Sequence, residues 1–187
     1  MNQIINIFKI VDKSIYSVQF DGKDQDEFQS LFALWSNPLY LEEFFEQHKS
    51  DLQSDFWGNV SVEEAVIRTR KEAITLEKRL IDIAELGKRD RYESLSNIFK
   101  PLVNNPLTTE QFERTKAKGN LKPSWLRIYA IRADLNLFVV SGGAIKLTPT
   151  MNEREHLLLE IQKLNATRTY LFDEENYDSS SFFELII

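Results

Sequence analysis

The 187-residue chain has no cysteine. That absence removes disulfides, thiolate nucleophiles and cysteine-held metal centres together, and it agrees with a cytoplasmic protein. Histidine is nearly as scarce. His48 and His156 are the two present, and the residues around the second, Glu-Arg-Glu-His over 153–156, do not form the H-E-x-x-H zinc pattern. The six glycines form neither a G-x-G-x-x-G dinucleotide loop nor a Walker A loop. Ser141 lacks the G-x-S-x-G elbow of a hydrolase nucleophile. No apolar run approaches the roughly 18 to 20 residues that span a bilayer. Met1 to Phe8 lack the basic start and apolar centre of an export signal. These gaps leave no expected cofactor, metal or membrane.

What is present is enough for a core. The chain is 42% apolar with thirteen phenylalanines, which excludes global disorder and fits one domain over residues 1–187. The formal net charge of -6 argues against a broad nucleic-acid-binding face, while leaving room for a local basic groove.

Hydrophobic periodicity divides the chain into a helical section over about 24–100 and a strand-rich section over about 124–172. Ile4 to Ile10 and Ile15 to Phe20 read as a hairpin about Val11-Asp12-Lys13-Ser14. Phe28, Leu31, Phe32 and Trp35 make one helical stripe, and Asn37-Pro38 ends that helix and opens the next. Leu39, Phe44, Phe45 and His48 are expected on or near the buried side of the second helix. Ser61 with Glu64 predicts a capping box at the start of a long helix reaching Leu86, with Gly87 as its terminator. A shorter helix is expected around Tyr92 to Phe99, a loop over 104–123, and one or two helical turns between Thr108 and Lys116.

The stretch from Pro123 to Thr148 carries the clearest strands. Leu126, Ile128 and Ala130 face one way; Trp125, Arg127, Tyr129 and Ile131 face the other. Leu137 to Val140 and Ala144 to Leu147 read as two strands separated by a Gly142-Gly143 bend. A closing helix from Glu153, capped by Thr150 or Asn152, is expected to reach about Asn165. Tyr170 to Phe172 reads as a short strand, and the acidic tail after Asp173 as loose. The whole predicts an α+β fold: helices packed against a small antiparallel sheet.

The residues most suited to chemistry are cationic. Between positions 114 and 132 stand Arg114, Lys116, Lys118, Lys122, Arg127 and Arg132, with no acidic side chain. Arg127 and Tyr129 share a strand face, Arg132 ends the strand, and Lys146 lies beyond the glycines. Such a group can clamp phosphates or offset charge at a scissile phosphate, and an aromatic beside it can stack on a base. His156 has the unperturbed pKa of a general base. By contrast, residues 21 to 64 hold eleven carboxylates against Lys23 and Lys49, a solvated face or a surface for a basic partner.

Leu126 to Thr150, LRIYAIRADLNLFVVSGGAIKLTPT, resembles the core sheet of the RelE/HigB-like toxin superfamily. The shared features are an arginine strand, a hydrophobic strand and a glycine turn leading to lysine. The resemblance implies a RelE-like fold with an N-terminal helical elaboration and an antitoxin partner. It also implies metal-independent cleavage of messenger RNA, commonly on the ribosome. Arg127, Arg132 and Lys146 resemble the residues that hold RNA phosphate, and Tyr129 an orienting or stacking group; His156 completes the candidate catalytic set from the residues alone. The chain departs from the pattern in being acidic and about twice the usual length. The alternative is a non-catalytic interaction or regulatory module, dimeric through the long helix after Ser61.

Overall fold

The computed structural model describes residues 3–102, 113–151 and 153–173. Strands β1 (Ile4–Val11) and β2 (Ile15–Phe20) form the expected hairpin, its turn closed by Lys13 at a φ of 57°. Helix α1 (Glu27–Ser36) starts at Asp26, whose carboxylate accepts from the amides of Phe28 and Gln29. It buries the stripe Phe28, Leu31, Phe32 and Trp35. Asn37 then serves two helices, ending α1 and capping α2 (Pro38–Gln47). Pro38 sits in the first turn of α2, where a missing N–H leaves nothing unsatisfied.

Leu41, Phe44 and Phe45 form the buried side of α2, whereas Leu39 is 75% exposed. Leu39 precedes Leu41 by two positions and so lies across the helix from it, which corrects its expected burial. After a single turn, α3 (Lys49–Leu52), the chain enters α4 (Val62–Leu86). Both halves of the predicted capping box are present: Glu64 N–H donates to Ser61 Oγ at 3.2 Å and Ser61 N–H to Glu64 Oε2 at 3.0 Å.

The helix expected over 92–99 is only a 3-10 turn at Leu95–Asn97. Strands β3 (Lys100–Pro101) and β4 (Glu113–Lys118) follow. Part of the Thr108–Lys116 stretch lies outside the described residues, and the rest belongs to β4 rather than to a helix. Strands β5 (Leu126–Asp134) and β6 (Leu137–Ile145) then pair antiparallel. Helix α5 runs from Glu155 to Asp173, so Tyr170 to Phe172 are helical and not a strand. Asn152 and the tail after Asp173 lie outside the described residues.

The sheet order is β1-β2-β6-β5-β4-β3. It is mixed rather than antiparallel, because β2 and β6 run parallel over Ile15–Ser17 and Phe138–Val140. Parallel neighbours need a long crossover, and α1, α2 and α4 lie in the chain between β2 and β6. Those helices pack on one face of the sheet and α5 on the other. Strand β5 divides as its alternation requires: Leu126, Ile128 and Ala130 join the α1/α2/α4 core, and Tyr129 and Ile131 the α5 core. Trp125 departs from its expected side. It precedes the strand and packs with Phe45 and Trp57, its indole N–H donating to Thr69 Oγ1 at 2.9 Å.

The glycine pair does not make a turn. Gly142 and Gly143 continue β6, paired with Tyr129 and Ile128, beside a register shift between Tyr129 and Ala130. Crowding on both faces accounts for them. A Cβ on Gly142 would land on Glu160 of α5, and one on Gly143 would meet Leu31 of α1 at 2.6 Å. Gly142 also has a φ of +148°, which side chains disfavour.

Trp35 and Leu80 are both essentially buried. Truncating either to alanine is expected to lower the unfolding free energy by about 2 to 5 kcal/mol, whereas Leu39→Ala changes it by roughly 0.5 kcal/mol or less. Urea denaturation of the three variants checks this; an unmoved midpoint for Trp35→Ala contradicts the assigned packing.

Candidate functional site

Strand β4 sends Thr115 and Ala117 into the core. Alternation therefore turns Arg114, Lys116 and Lys118 to the opposite face, the one that α5 covers. Arg114 confirms the side by donating to Asn165 of α5 at 2.9 Å. The register sets Lys118 opposite Arg127 and Lys116 opposite Tyr129, while Arg127 lies opposite Ala144, two residues before Lys146. Lys116, Lys118, Arg127 and Lys146 thus stand on the ends of three adjacent strands.

Their mutual influence is visible in their acidities. Burial, then the charges of Lys118 and Arg127, hold the Lys116 ammonium below its ordinary pKa. Burial and then Arg127 do the same to Lys146, with Lys116 and Lys118 adding and Glu153 opposing. Burial also lowers Arg127, against the attraction of Tyr129 and Glu72. Among the described residues no carboxylate lies within salt-bridge distance of these four cations. Two are instead held by carbonyls. Arg127 Nη1 donates to the carbonyls of Ser124 and Leu126 at 2.8 and 2.7 Å, and Lys146 Nζ to those of Thr148 and Pro149 at 2.6 and 2.5 Å.

Of the five residues singled out from the sequence, Arg127 and Lys146 come together. Tyr129 lies beside Arg127 but is 1% exposed, its hydroxyl unpartnered and its pKa pushed well up by burial. Arg132 is five residues along β5 from Arg127, about 17 Å away. Alternation places it on the other face, and its guanidinium lies 3.6 Å from Glu113. His156 is separate again. Its Nε2 lies 3.1 Å from the Ile145 carbonyl and its ring 5.0 Å from that of His48. Lys116 and Lys118 were legible as charge but not as site residues. Their every-second-residue spacing is a strand signal, hidden by a segment that otherwise reads as loop.

His156 belongs to a second polar centre. Between α1, α5 and the end of β6 lies a crevice of about 180 Å³. Lys163 Nζ bridges its walls, 2.5 Å from Glu27 Oε2 on α1 and 2.6 Å from Glu160 Oε1 on α5. Burial pulls the Lys163 pKa down, but the two carboxylates outweigh it and leave the ammonium above its ordinary value. Burial pushes Glu160 up to about 7; Lys163 opposes this, Glu27 reinforces it, and the Gly143 N–H opposes it weakly. Glu160 is 8% exposed, and its second oxygen is closed off from solvent against Gly142. Close by, Asp51 and Arg154 pair at 2.8 and 2.5 Å and tie α3 to the start of α5. Among the described residues there is no group of three or more metal-ligating side chains, and no helix is long and apolar enough to cross a membrane.

No protein-family model, curated protein or solved structure matches this chain.

Glu160 makes the fold pH-sensitive. Between about pH 4.5 and 7 the folded chain keeps a proton that the unfolded chain releases, so its contribution to stability is full below pH 4.5 and is lost as pH rises through 7. The loss is on the order of 3 kcal/mol. Denaturation at several pH values should give Glu160→Gln a flatter profile than the wild type across that window; parallel profiles would show that Glu160 ionises normally.

Proposed function

We propose that this protein is a metal-independent endoribonuclease whose RNA-binding face is formed by Lys116, Lys118, Arg127 and Lys146. The observation that carries the reading is the convergence of these four cations on adjacent strands, with no carboxylate among the described residues within ion-pair range. A phosphodiester supplies the negative charge that such a group lacks, and the same positive field disfavours a divalent cation there. The resemblance of residues 126–150 to the RelE/HigB-like toxins supports the same reading, and with it a RelE-like fold, an antitoxin partner and a messenger-RNA substrate on the ribosome. Arg132 and His156 take no part in it, and Tyr129 shapes the site from beneath.

The chemistry follows from the clustered cations. The RNA 2′-oxygen bonds to phosphorus while its proton passes to water at the site, and Lys116 holds the phosphate. The P–O5′ bond breaks, and O5′ takes a proton from the Lys118 ammonium. A 2′,3′-cyclic phosphate and a 5′-hydroxyl result. Arg127 and Lys146 offset the charge that develops on the phosphorane oxygens.

The test is cleavage of RNA, free and ribosome-bound, in excess chelator. Lys116→Ala and Arg127→Ala are expected to lower the rate by about 100-fold or more while the unfolding midpoint holds. Intact RNA after incubation with folded wild-type protein, ribosomes included, would sink the proposal.

One observation favours an interaction role instead. Ile67, Ile74 and Ile81 recur every seven residues along the outer side of α4 and are 47%, 64% and 37% exposed. Isoleucines at that spacing form a seam suited to another helix, from a second copy of the chain or from an antitoxin. Sedimentation is expected to show a dimer that Ile74→Glu dissociates; a wild-type monomer at high concentration rules out self-association.

A further inference from the structure

The four-cation face lacks one component of a nucleic-acid site. Cations fix a strand by its phosphates, whereas bases are taken up by stacking on aromatic rings. Tyr129, the aromatic opposite Lys116 and beside Arg127, is 1% exposed, and a ring so enclosed has no face to offer a base. Another aromatic stands at the same end of the sheet.

Phe56 lies in the connection between α3 and α4 and is 71% exposed. Its neighbours fix it in place. Leu52 and Trp57 are buried on either side of it in the chain. The amides of Trp57 and Gly58 both donate to the Ser54 carbonyl, at 3.0 and 3.2 Å, and Gly58 and Asn59 then turn the chain at φ of 76° and 58°. The Phe56 ring meets the Trp57 indole edge to face, centroids 4.7 Å apart, and Trp57 packs on Trp125 at 5.2 Å. A ring anchored in this way loses little freedom when a ligand stacks on it.

The segment after β6 relates this ring to the cations. The Trp57 indole N–H donates to the Leu147 carbonyl at 2.8 Å. Lys146 Nζ donates to the next two carbonyls, those of Thr148 and Pro149, at 2.6 and 2.5 Å. Three successive carbonyls thus tie the tryptophan that supports Phe56 to a cation of the face, on the order of 10 Å apart. Tyr92 is more exposed, at 88%, but belongs to the segment whose Leu95 and Ser96 bond to Asn136 and Leu135. Those residues precede β6, and Lys146 follows it, so Tyr92 is at the far end of the sheet.

We propose that Phe56 is a base platform: an unpaired base stacks on its ring while the phosphates of the same strand lie on Lys146, Arg127, Lys118 and Lys116. This rests on the RNA-binding reading of the four-cation face and adds a requirement to it. A base inside a duplex has both faces covered, so the platform accepts unpaired nucleotides. Stacking is tolerant of base identity, so it does not select one base over another.

The experiment is fluorescence-anisotropy binding of the full chain, in excess chelator, to a labelled 2′-O-methyl oligonucleotide of about twelve nucleotides. Its blocked 2′-oxygen prevents cleavage. A second strand has the same backbone with abasic sites in place of the bases. The wild type is expected to bind the base-bearing strand about fivefold or more tightly than the abasic one. Phe56→Ala should bring the two strands to equal affinity, and Phe56→Trp should restore the preference. Because Phe56 is exposed, both variants should unfold at the wild-type midpoint. Arg127→Ala, by contrast, should weaken both strands alike. A wild type that does not distinguish the strands, or a preference that survives Phe56→Ala, overturns the platform; weakened binding in Arg127→Ala then still supports the four-cation face. No binding of either strand by the folded wild type overturns both.

Discussion

The approach of two helices to one strand from opposite faces, made possible by two glycines, is the constraint on which the rest of the structure depends. Gly142 gives Glu160 and Lys163 of α5 their space, and Gly143 gives Leu31 of α1 its own. Lys163 can then reach Glu27 past the departed edge of β2 and join α5 to α1. Both hydrophobic cores meet the sheet at β6, with Phe138 and Val140 on one side and Leu137 and Val139 on the other. A side chain at Gly142 would displace the ends of Glu160 and Lys163, and one at Gly143 would crowd Leu31 and the Arg127 carbonyl.

Burying the Glu27–Lys163–Glu160 group is not a simple gain. Desolvating three charges costs several kcal/mol for each, which close pairing only partly offsets. The strain shows in Glu160, which stays partly protonated near neutrality. The four-cation face stores a comparable tension. Lys116, Lys118, Arg127 and Lys146 repel one another on a chain whose net charge is -6, and nearby carbonyls rather than carboxylates hold two of them. Charge perturbed in this way clusters at functional sites.

Local chemistry was legible wherever a short segment determines its own shape. The capping box of Ser61 and Glu64, the double role of Asn37-Pro38, and the stripe Phe28-Leu31-Phe32-Trp35 all depend on neighbours within about one or two helical turns. The strand character of Leu126 to Ile131 was equally clear, since alternation needs no partner to be recognised. Legibility failed where a distant element overrides local preference. Gly142-Gly143 is sound turn chemistry, yet neighbours on both faces keep it in a strand. Tyr170 to Phe172 has strand-forming residues, yet they extend a helix already packed on the sheet through Leu157 and Leu164. Lys116 and Lys118 sit in a polar segment with no hydrophobic alternation to announce β4.

The sequence by itself determined the helix starts, the hydrophobic faces, the absence of thiol chemistry and the local excess of positive charge, because each follows from residue type and spacing alone. Tertiary structure decided the parallel contact of β2 with β6, the alignment of β4 beside β5, and the convergence of α1 and α5 on β6. Those are pairings between residues far apart in the chain, and their register is set by packing that no local pattern encodes. It is this register that adds Lys116 and Lys118 to Arg127 and Lys146, sets Arg132 apart, and leaves a buried carboxylate facing a crevice.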